Sequence, residues 1–210
     1  SLGYAARRAR ELSVANIEFV QGDLLEVGRL QKRYDLVVAT GVLHHMADPV
    51  KGWRALTTVL RSGGLMRVAL YSERARRSIA TLREHMARHA LEWNPSTMHV
   101  IRRRVLEADP ADTIAELAYS DDLFATSAVR DLLFHVCEHR FTPAQLSGVL
   151  DNLALDFIGM EVRDLPLRNQ FEAFAGQSCE RADLAVWEAF EERHPRSFTA
   201  MMHFWCQARQ

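Results

Sequence analysis

The stretch that most constrains the fold is the apolar run YDLVVAT at residues 34–40, which ends directly at Gly41. It lacks the apolar–polar alternation of a half-exposed strand, and such a run is typical of a strand buried on both faces of a sheet. A second run, LMRVALY at residues 65–71, follows a turn-like RSGG. Between the two runs, Asp48 and Pro49 supply an N-cap acceptor and a first-turn proline, which predict the start of a helix.

Buried strands that alternate with helices predict an α/β fold with a parallel sheet and right-handed crossovers. Apolar spacing predicts an amphipathic helix at the start of the chain, and Thr142-Pro143 is a further helix start. The remaining predicted elements are strands at 16–23, 156–162 and 198–208, helices at 73–90 and 181–192, and short helices within 112–138.

Composition excludes several classes of protein. The chain has 210 residues, 48% hydrophobic and 25% charged, which fits one globular domain with a real core. A formal net charge of -1 argues against nucleic acid or an anionic membrane as a partner. Cys137, Cys179 and Cys206 are scattered, which predicts a reducing, cytoplasmic location and neither a disulfide framework nor a zinc site.

The chain opens within the pattern of its first helix, with neither an initiator methionine nor the apolar core of a signal peptide. We therefore expect further sequence upstream of Ser1. Strand edges exposed at such a junction would favour pairing with another chain, and the pattern leaves the oligomeric state open.

Ligands of open α/β sheets bind beyond the carboxyl ends of the strands, so the residues that follow each predicted strand are the first candidates. Asp23 and Leu24 follow the strand predicted at 16–23, and a carboxylate beside a backbone N–H can read the edge of adenine. Thr40, Gly41 and Val42 follow the second strand, where Gly41 lets the backbone approach a ligand closely.

These elements, in this order, resemble the cofactor half of class I S-adenosylmethionine-dependent methyltransferases. The resemblance is carried by VQGDLLE and by YDLVVATGVLHHMADPVKGWRALTTVLRSGGLMRVALY, and it covers residues 1–72. It implies S-adenosyl-L-methionine as the cofactor, with Asp23 at the adenine amino group, Leu24 beside it, and residues 40–42 along the methionine arm. Ser62 stands where the family usually has proline.

The resemblance also predicts what the chain lacks. The family's glycine-rich turn after strand one, and the acidic residue that closes strand two, have no counterpart here. With a family sheet order of 3-2-1-4-5-7-6, the expected fold is an incomplete Rossmann-like methyltransferase sheet whose first two strands are absent. Residues 130–162 resemble a helical lid. The predicted regions are a cofactor-side half at 1–72, a lid and substrate region at 73–154, and closing strands at 155–210.

His44 and His45 are the candidate catalytic residues. One of them could act as a general base that removes a proton from a substrate hydroxyl or amine. Alternatively, one packs under the next helix and the other lines the cleft, because methyl transfer to an activated sulfonium can be driven by positioning alone. The loop position makes His44 the first choice for the base.

Other polar groups favour plainer interpretations. The arginines between 74 and 104 could bind RNA, but the glutamates among them are typical of a solvated helix face. Arg130, Asp131, His135, Glu138 and His139 fall at helical spacing and could line a substrate pocket. His135 and His139 lack a third metal ligand, so we predict no metal site.

The sequence therefore predicts methyl transfer to a small-molecule acceptor that it does not name. The rival hypothesis is a non-catalytic methyltransferase-like fragment or interaction module that cannot hold the cofactor alone. A nicotinamide-dependent enzyme of similar topology fits Asp23 and the VLHH loop poorly.

Overall fold

The computed structural model describes residues 2–176, 183–198 and 201–210. The strands are β1 (Tyr34–Thr40), β2 (Leu60–Ser72), β3 (Arg140–Phe141), β4 (Leu155–Met160) and β5 (Met201–Ala208). The helices are α1 (Leu2–Glu11), α2 (Pro49–Thr57), α3 (Arg77–Arg88), α4 (Pro95–Leu106), α5 (Thr126–Leu133), α6 (Pro143–Asn152), α7 (Leu165–Ala175) and α8 (Leu184–Arg193). Short 3₁₀ helices span Leu24–Leu30, Leu43–His45, Thr113–Tyr119 and Asp121–Leu123.

The strands form one sheet in the order β1-β2-β5-β4, with the two-residue β3 pairing at the end of β2. β1 and β3 run parallel to β2, whereas β5 runs antiparallel to both β2 and β4. The sheet is therefore mixed, and the carboxyl ends of β1, β2 and β4 share one edge. This order matches the 4-5-7-6 part of the sheet that the resemblance implies.

The strand predicted at 16–23 is wrong, because no described residue in this segment belongs to a strand. Its apolar residues Ile17, Phe19 and Val20 are exposed. No described strand pairs with the outer edge of β1, so the segment has no sheet neighbour with which to exchange backbone hydrogen bonds.

The RSGG sequence does not form the predicted turn. β2 already begins at Leu60, and its register with β1 shifts between the pairs Tyr34–Leu60 and Leu36–Leu65. Gly63, with φ of 69°, supplies the left-handed conformation within this irregularity. The helix predicted from 181 begins at Leu184, and the strand predicted from 198 begins at Met201. Residues 181–182 and 199–200 lie outside the described residues.

The main core covers one face of the sheet. Met66, Val68 and Leu70 of β2 are fully buried on this face, beneath side chains of α2, α6 and α8. On the opposite face, Leu36 and Val38 of β1 are about half exposed, at 47% and 55%. One side of the sheet is thus packed into a core, and the other is open along β1.

A second hydrophobic cluster joins α3, α4 and α5 to the 3₁₀ helices between them. It includes Leu82, Ile101 and Val129, which are at most 1% exposed. Helix α6, although within the region predicted as a lid, packs on the sheet core through Leu146 and Leu150. The helical cluster therefore ends before β3. Its role as a lid stays a prediction.

A buried polar network fastens α8 to the end of β2. The Ser72 hydroxyl donates a hydrogen bond to Glu191, a residue with no exposed surface, and Arg74 contacts Glu191 at 3.2 Å. Burial raises the pKa of Glu191, although Ser72 and Arg74 favour its charged form. Among the described helices, none has the length and apolar character needed to cross a lipid bilayer.

Truncation of a buried side chain in α6 tests whether this helix belongs to the main core. Leu146→Ala should lower the free energy of unfolding by about 2–5 kcal/mol, because Leu146 is 0% exposed and the cavity cannot fully collapse. The control is Leu165→Ala, at a residue that is 65% exposed. If denaturant titrations show equal losses of unfolding free energy in the two variants, α6 does not pack on the sheet core as described.

Candidate functional site

The loop after β1 is open to an approaching ligand. β1 ends at Thr40, and Gly41 follows with φ of 71°. A side chain built on Gly41 would meet no atom within 4 Å, and Val42 is 41% exposed. Arg67 Nη1 lies 3.3 Å from the Thr40 hydroxyl oxygen and donates to it, which steadies the strand end. A backbone that is both exposed and left-handed at Gly41 can lie directly against a bound molecule.

Asp23 caps the 3₁₀ helix that precedes β1. Its Oδ1 accepts a hydrogen bond from the Leu25 N–H at 2.9 Å. Leu24 packs against the sheet core, which fixes the position of this turn. The carboxylate is exposed and keeps further acceptor capacity, so capping does not prevent a contact with an amino group. Cofactor contact by Asp23 and Leu24 stays a prediction.

His44 is enclosed at the inner end of the loop. It has no exposed surface, and its ring centroid lies 3.9 Å from that of Tyr71. Neither ring nitrogen has a hydrogen-bond partner among the described residues. Burial first, and then the neighbouring His45, lower the pKa of His44 to about 4, although the charge of Glu138 favours the protonated form. His44 is therefore neutral at physiological pH and shielded from solvent.

His45 and His135 share a backbone acceptor. The Nδ1 atoms of the two rings lie 3.0 Å and 2.9 Å from the carbonyl oxygen of Cys137, and the rings stack with centroids 3.8 Å apart. A carbonyl oxygen only accepts, so each ring must donate from Nδ1–H. The Nε2 atom of each neutral ring is then left with a lone pair that can accept a proton.

A buried ion pair holds this segment against the strand ends. Arg76, only 3% exposed, lies with its guanidinium 3.9 Å from the centroid of the Tyr71 ring. Its Nη2 contacts the Glu138 carboxylate at 2.5 Å, and Arg83 contacts the same carboxylate at 3.2 Å. The His139 N–H donates to the His44 carbonyl at 2.8 Å, which ties the segment to the loop after β1.

The helical spacing predicted for Arg130, Asp131, His135, Glu138 and His139 is wrong beyond α5, which ends at Leu133. Residues 134–139 run as an irregular segment instead, because Glu138 and the Cys137 carbonyl are drawn to the strand ends. His135 and His139 therefore do not share a helical face. Among the described residues, no group of three His, Cys, Asp or Glu side chains is arranged to hold a metal ion.

Neither Arg76 nor the Cys137 carbonyl has a sequence signal that marks it as part of the site. Arg76 was one of many arginines in a helical region, and nothing in its neighbours marks it as buried. A backbone carbonyl carries no residue-type signal at all. The one available signal was Glu138 next to two histidines in HVCEH, which pointed to the segment but not to its conformation.

Comparison with known proteins places this geometry in context. The family profile described as "Methyltransferase domain" matches residues 1–121. "Uncharacterized protein syc1184_c" of Synechococcus sp. is 35% identical over 88 residues, which are 41% of this chain and 21% of that protein.

The structure of PKMT2 from Rickettsia typhi has a TM-score of 0.70 at 12% identity, and its complex with AdoHcy has a TM-score of 0.67. Each alignment covers 100% of this chain and 43% of that chain, so this chain spans less than half the length of the relatives it matches. At 12% identity the likeness shows the fold, and it confirms the α/β Rossmann-like class.

The burial of His44 predicts a specific pH dependence of stability. The unfolded chain protonates this ring near pH 6.5, the folded protein only near pH 4, so the unfolded state binds more protons between these values. The free energy of unfolding should therefore fall as pH decreases from 6.5 to 4, with His44 contributing up to about 3 kcal/mol.

Denaturant titrations from pH 7.5 to 4 measure the slope of the free energy of unfolding against pH. His44→Gln should flatten it, whereas His99→Gln, at an exposed position on α4, should leave it unchanged. The same slope in the wild type and the His44 variant would show that His44 does not carry the effect.

Proposed function

Because this chain belongs to the methyltransferase-domain family, which implies S-adenosyl-L-methionine as the cofactor, we propose that it lines the adenine and methionine portions of that cofactor. The proposed reaction is methyl transfer to an oxygen, nitrogen or carbon nucleophile of a small molecule. PKMT2 from Rickettsia typhi, which shares this fold, forms a complex with AdoHcy, and this supports cofactor binding by the present chain.

The observation that carries the proposal is the backbone at Gly41. This residue stands at the carboxyl end of a parallel strand, in a left-handed conformation, with no atom within 4 Å of the position of a side chain. Ligands of open α/β sheets bind at this edge. Thr40 and Val42 flank Gly41 and are exposed, so three consecutive residues face the space that a cofactor would fill.

The cofactor, when bound, supplies a methyl group activated by a sulfonium. The chain's own task is to hold the acceptor in line with that group and to receive the proton that an O–H or N–H acceptor gives up. His45 is placed for the second task, since its Nδ1–H is held by the Cys137 carbonyl and its Nε2 lone pair is free. Residues 40–42 would hold the cofactor so that its methyl group reaches the acceptor atom, and His45 would take up the proton that this atom loses.

His45 is a better base than His44 for two physical reasons. His45 is half-buried and can reach a substrate, whereas His44 has no exposed surface. The burial that lowers the pKa of His44 to about 4 also makes it a weak base. We therefore assign proton acceptance to His45 and the support of its ring to His44.

The rival proposal is an interaction module that does not bind the cofactor alone. It is supported by the outer edge of β1, which pairs with no described strand, and by the exposed side chains of Leu36 and Val38. An apolar edge of this kind can accept a strand from another segment or chain. Cofactor titration separates the two proposals.

Calorimetric titration with S-adenosylmethionine tests the proposal through a pair of glycine variants. Gly41→Ala and Gly63→Ala place a side chain at similar positive φ, 71° and 69°, and so should lose similar stability. Only Gly41→Ala should weaken cofactor binding, by about tenfold or more, because its side chain enters the proposed site.

Equal affinities of the two variants would contradict a cofactor contact at Gly41. The absence of binding by the wild-type chain would favour the interaction module.

The base role of His45 is tested by His45→Asn, whose amide can still donate to the Cys137 carbonyl but has no nitrogen lone pair for the proton. The rate of labelled methyl transfer from S-adenosylmethionine to small molecules of a cell extract should fall by about 10²–10⁴-fold. Cofactor affinity should stay within about twofold, since His45 is not among the proposed cofactor contacts at residues 23, 24 and 40–42. An unchanged rate would remove the base role and leave positioning as the source of catalysis.

A further inference from the structure

A cleft of about 750 Å³ opens beside the stacked histidines. One wall is formed by α5 and the residue that follows it, through side chains that recur every three or four residues on one helix face. These residues are Thr126, Ser127, Arg130, Asp131 and Phe134. Trp93 lies beside this wall, close to Phe134 and Arg130, and His135 stacks on His45 of the loop after β1. The cleft and the candidate base thus share one stack of imidazole rings.

The aromatic walls of the cleft are held in place by the helical cluster. Trp93 and Phe134 meet edge to face, with ring centroids 5.2 Å apart and planes at 76°. Both rings pack against the buried side chains of α3, α4 and α5. Rings supported from behind present a fixed apolar surface, which suits a flat ligand.

Arg130 gives the cleft a cation that forms no ion pair with a described carboxylate, although Asp131 lines the same cleft. Its guanidinium lies 5.7 Å from the centroid of the Trp93 ring, and it forms no salt bridge with any side chain that the structure describes. By contrast, Arg76 and Arg83 both pair with Glu138. A guanidinium that stacks on an aromatic ring keeps its in-plane N–H donors for a carboxylate.

Further donors stand on the same wall. The N-cap residue of α5 is Ala125, which makes no side-chain cap hydrogen bond, so the first N–H groups of the helix lack that partner. The hydroxyl groups of Thr126 and Ser127 line the cleft one turn before Arg130. The outer part of the cleft is therefore rich in donors and suits an anionic group.

Acceptors lie toward the inner end. The Nε2 atom of His135 is left with a lone pair, because its Nδ1–H is given to the Cys137 carbonyl. Asp131 is near enough to Tyr71 for its charge to raise the pKa of that phenol, although burial is the largest cause of the shift and Arg76 opposes it. A ligand with its anionic group at Arg130 would direct a hydroxyl or amine toward these acceptors.

We propose that this cleft binds the methyl acceptor, and that the acceptor is a small aromatic carboxylate bearing a hydroxyl or amine at its far end. The carboxylate is held by Arg130, the ring lies against Trp93 and Phe134, and the nucleophile faces His135, which stacks on His45. The claim that the bound molecule is the methyl acceptor rests on the proposed function. The anion site itself does not depend on it.

The test compares 4-hydroxybenzoate with its neutral isostere 4-hydroxybenzamide, by NMR titration of the whole chain at neutral pH without cofactor. The acid should bind at least about tenfold more tightly, with shifts at Ser127 and Arg130. Arg130→Gln should abolish the preference. Arg103→Gln, at an exposed arginine of α4 that does not line the cleft, should keep it.

Three results would overturn the assignment: equal binding of acid and amide, no binding of either, or a preference that survives Arg130→Gln. A parallel titration with S-adenosylmethionine separates this proposal from the proposed function. If the cofactor binds but the acid is not preferred, only the proposed class of acceptor is wrong. If the acid is preferred but the cofactor does not bind, the anion site is supported and the methyltransferase proposal fails.

Discussion

The arrangement of the site depends on one buried ion pair, between Arg76 at the start of α3 and Glu138 in the segment after α5. The two side chains are only 4% and 5% exposed, so each charge would be costly to bury without the other. Removal of one partner from such a pair typically costs about 3–5 kcal/mol, whereas the intact pair stabilises little by itself. Its effect here is geometric: it brings the Cys137 carbonyl to the histidines and thereby sets which ring nitrogen is free.

The same ion pair connects the sheet core to the helical cluster. The sheet core positions the loop after β1, and the helical cluster positions Trp93 and α5. Residues 135–139 bridge the two, through the Arg83 contact to the His135 carbonyl at 2.7 Å and the backbone hydrogen bond from His139 to His44. The loop after β1, the histidine stack and the cleft beside α5 are therefore aligned by contacts between residues distant in sequence, and no local sequence pattern predicts such contacts.

Elements with a strong local signal could be predicted from the sequence. Asp48-Pro49 and Thr142-Pro143 begin α2 and α6 as expected, the latter with a complete capping box, and the apolar runs form β1 and β2. The family resemblance supplied the sheet class, which the fold confirms. The strand expected at 16–23 failed because pairing depends on a neighbour and not on the segment itself. Neither the Arg76–Glu138 pair nor the shared carbonyl could be predicted, since spacing does not reveal contacts across 62 residues.

The central claim is that Thr40, Gly41 and Val42 form the wall against which the cofactor lies. Backbone NMR of the chain titrated with S-adenosylhomocysteine tests this most directly, because it reports the place of binding together with its strength. We predict that the largest shifts fall at residues 40–42 and at Leu24, with little change in α7 or at Arg209. Saturable shifts confined to another surface, or no shifts at all, would contradict the account.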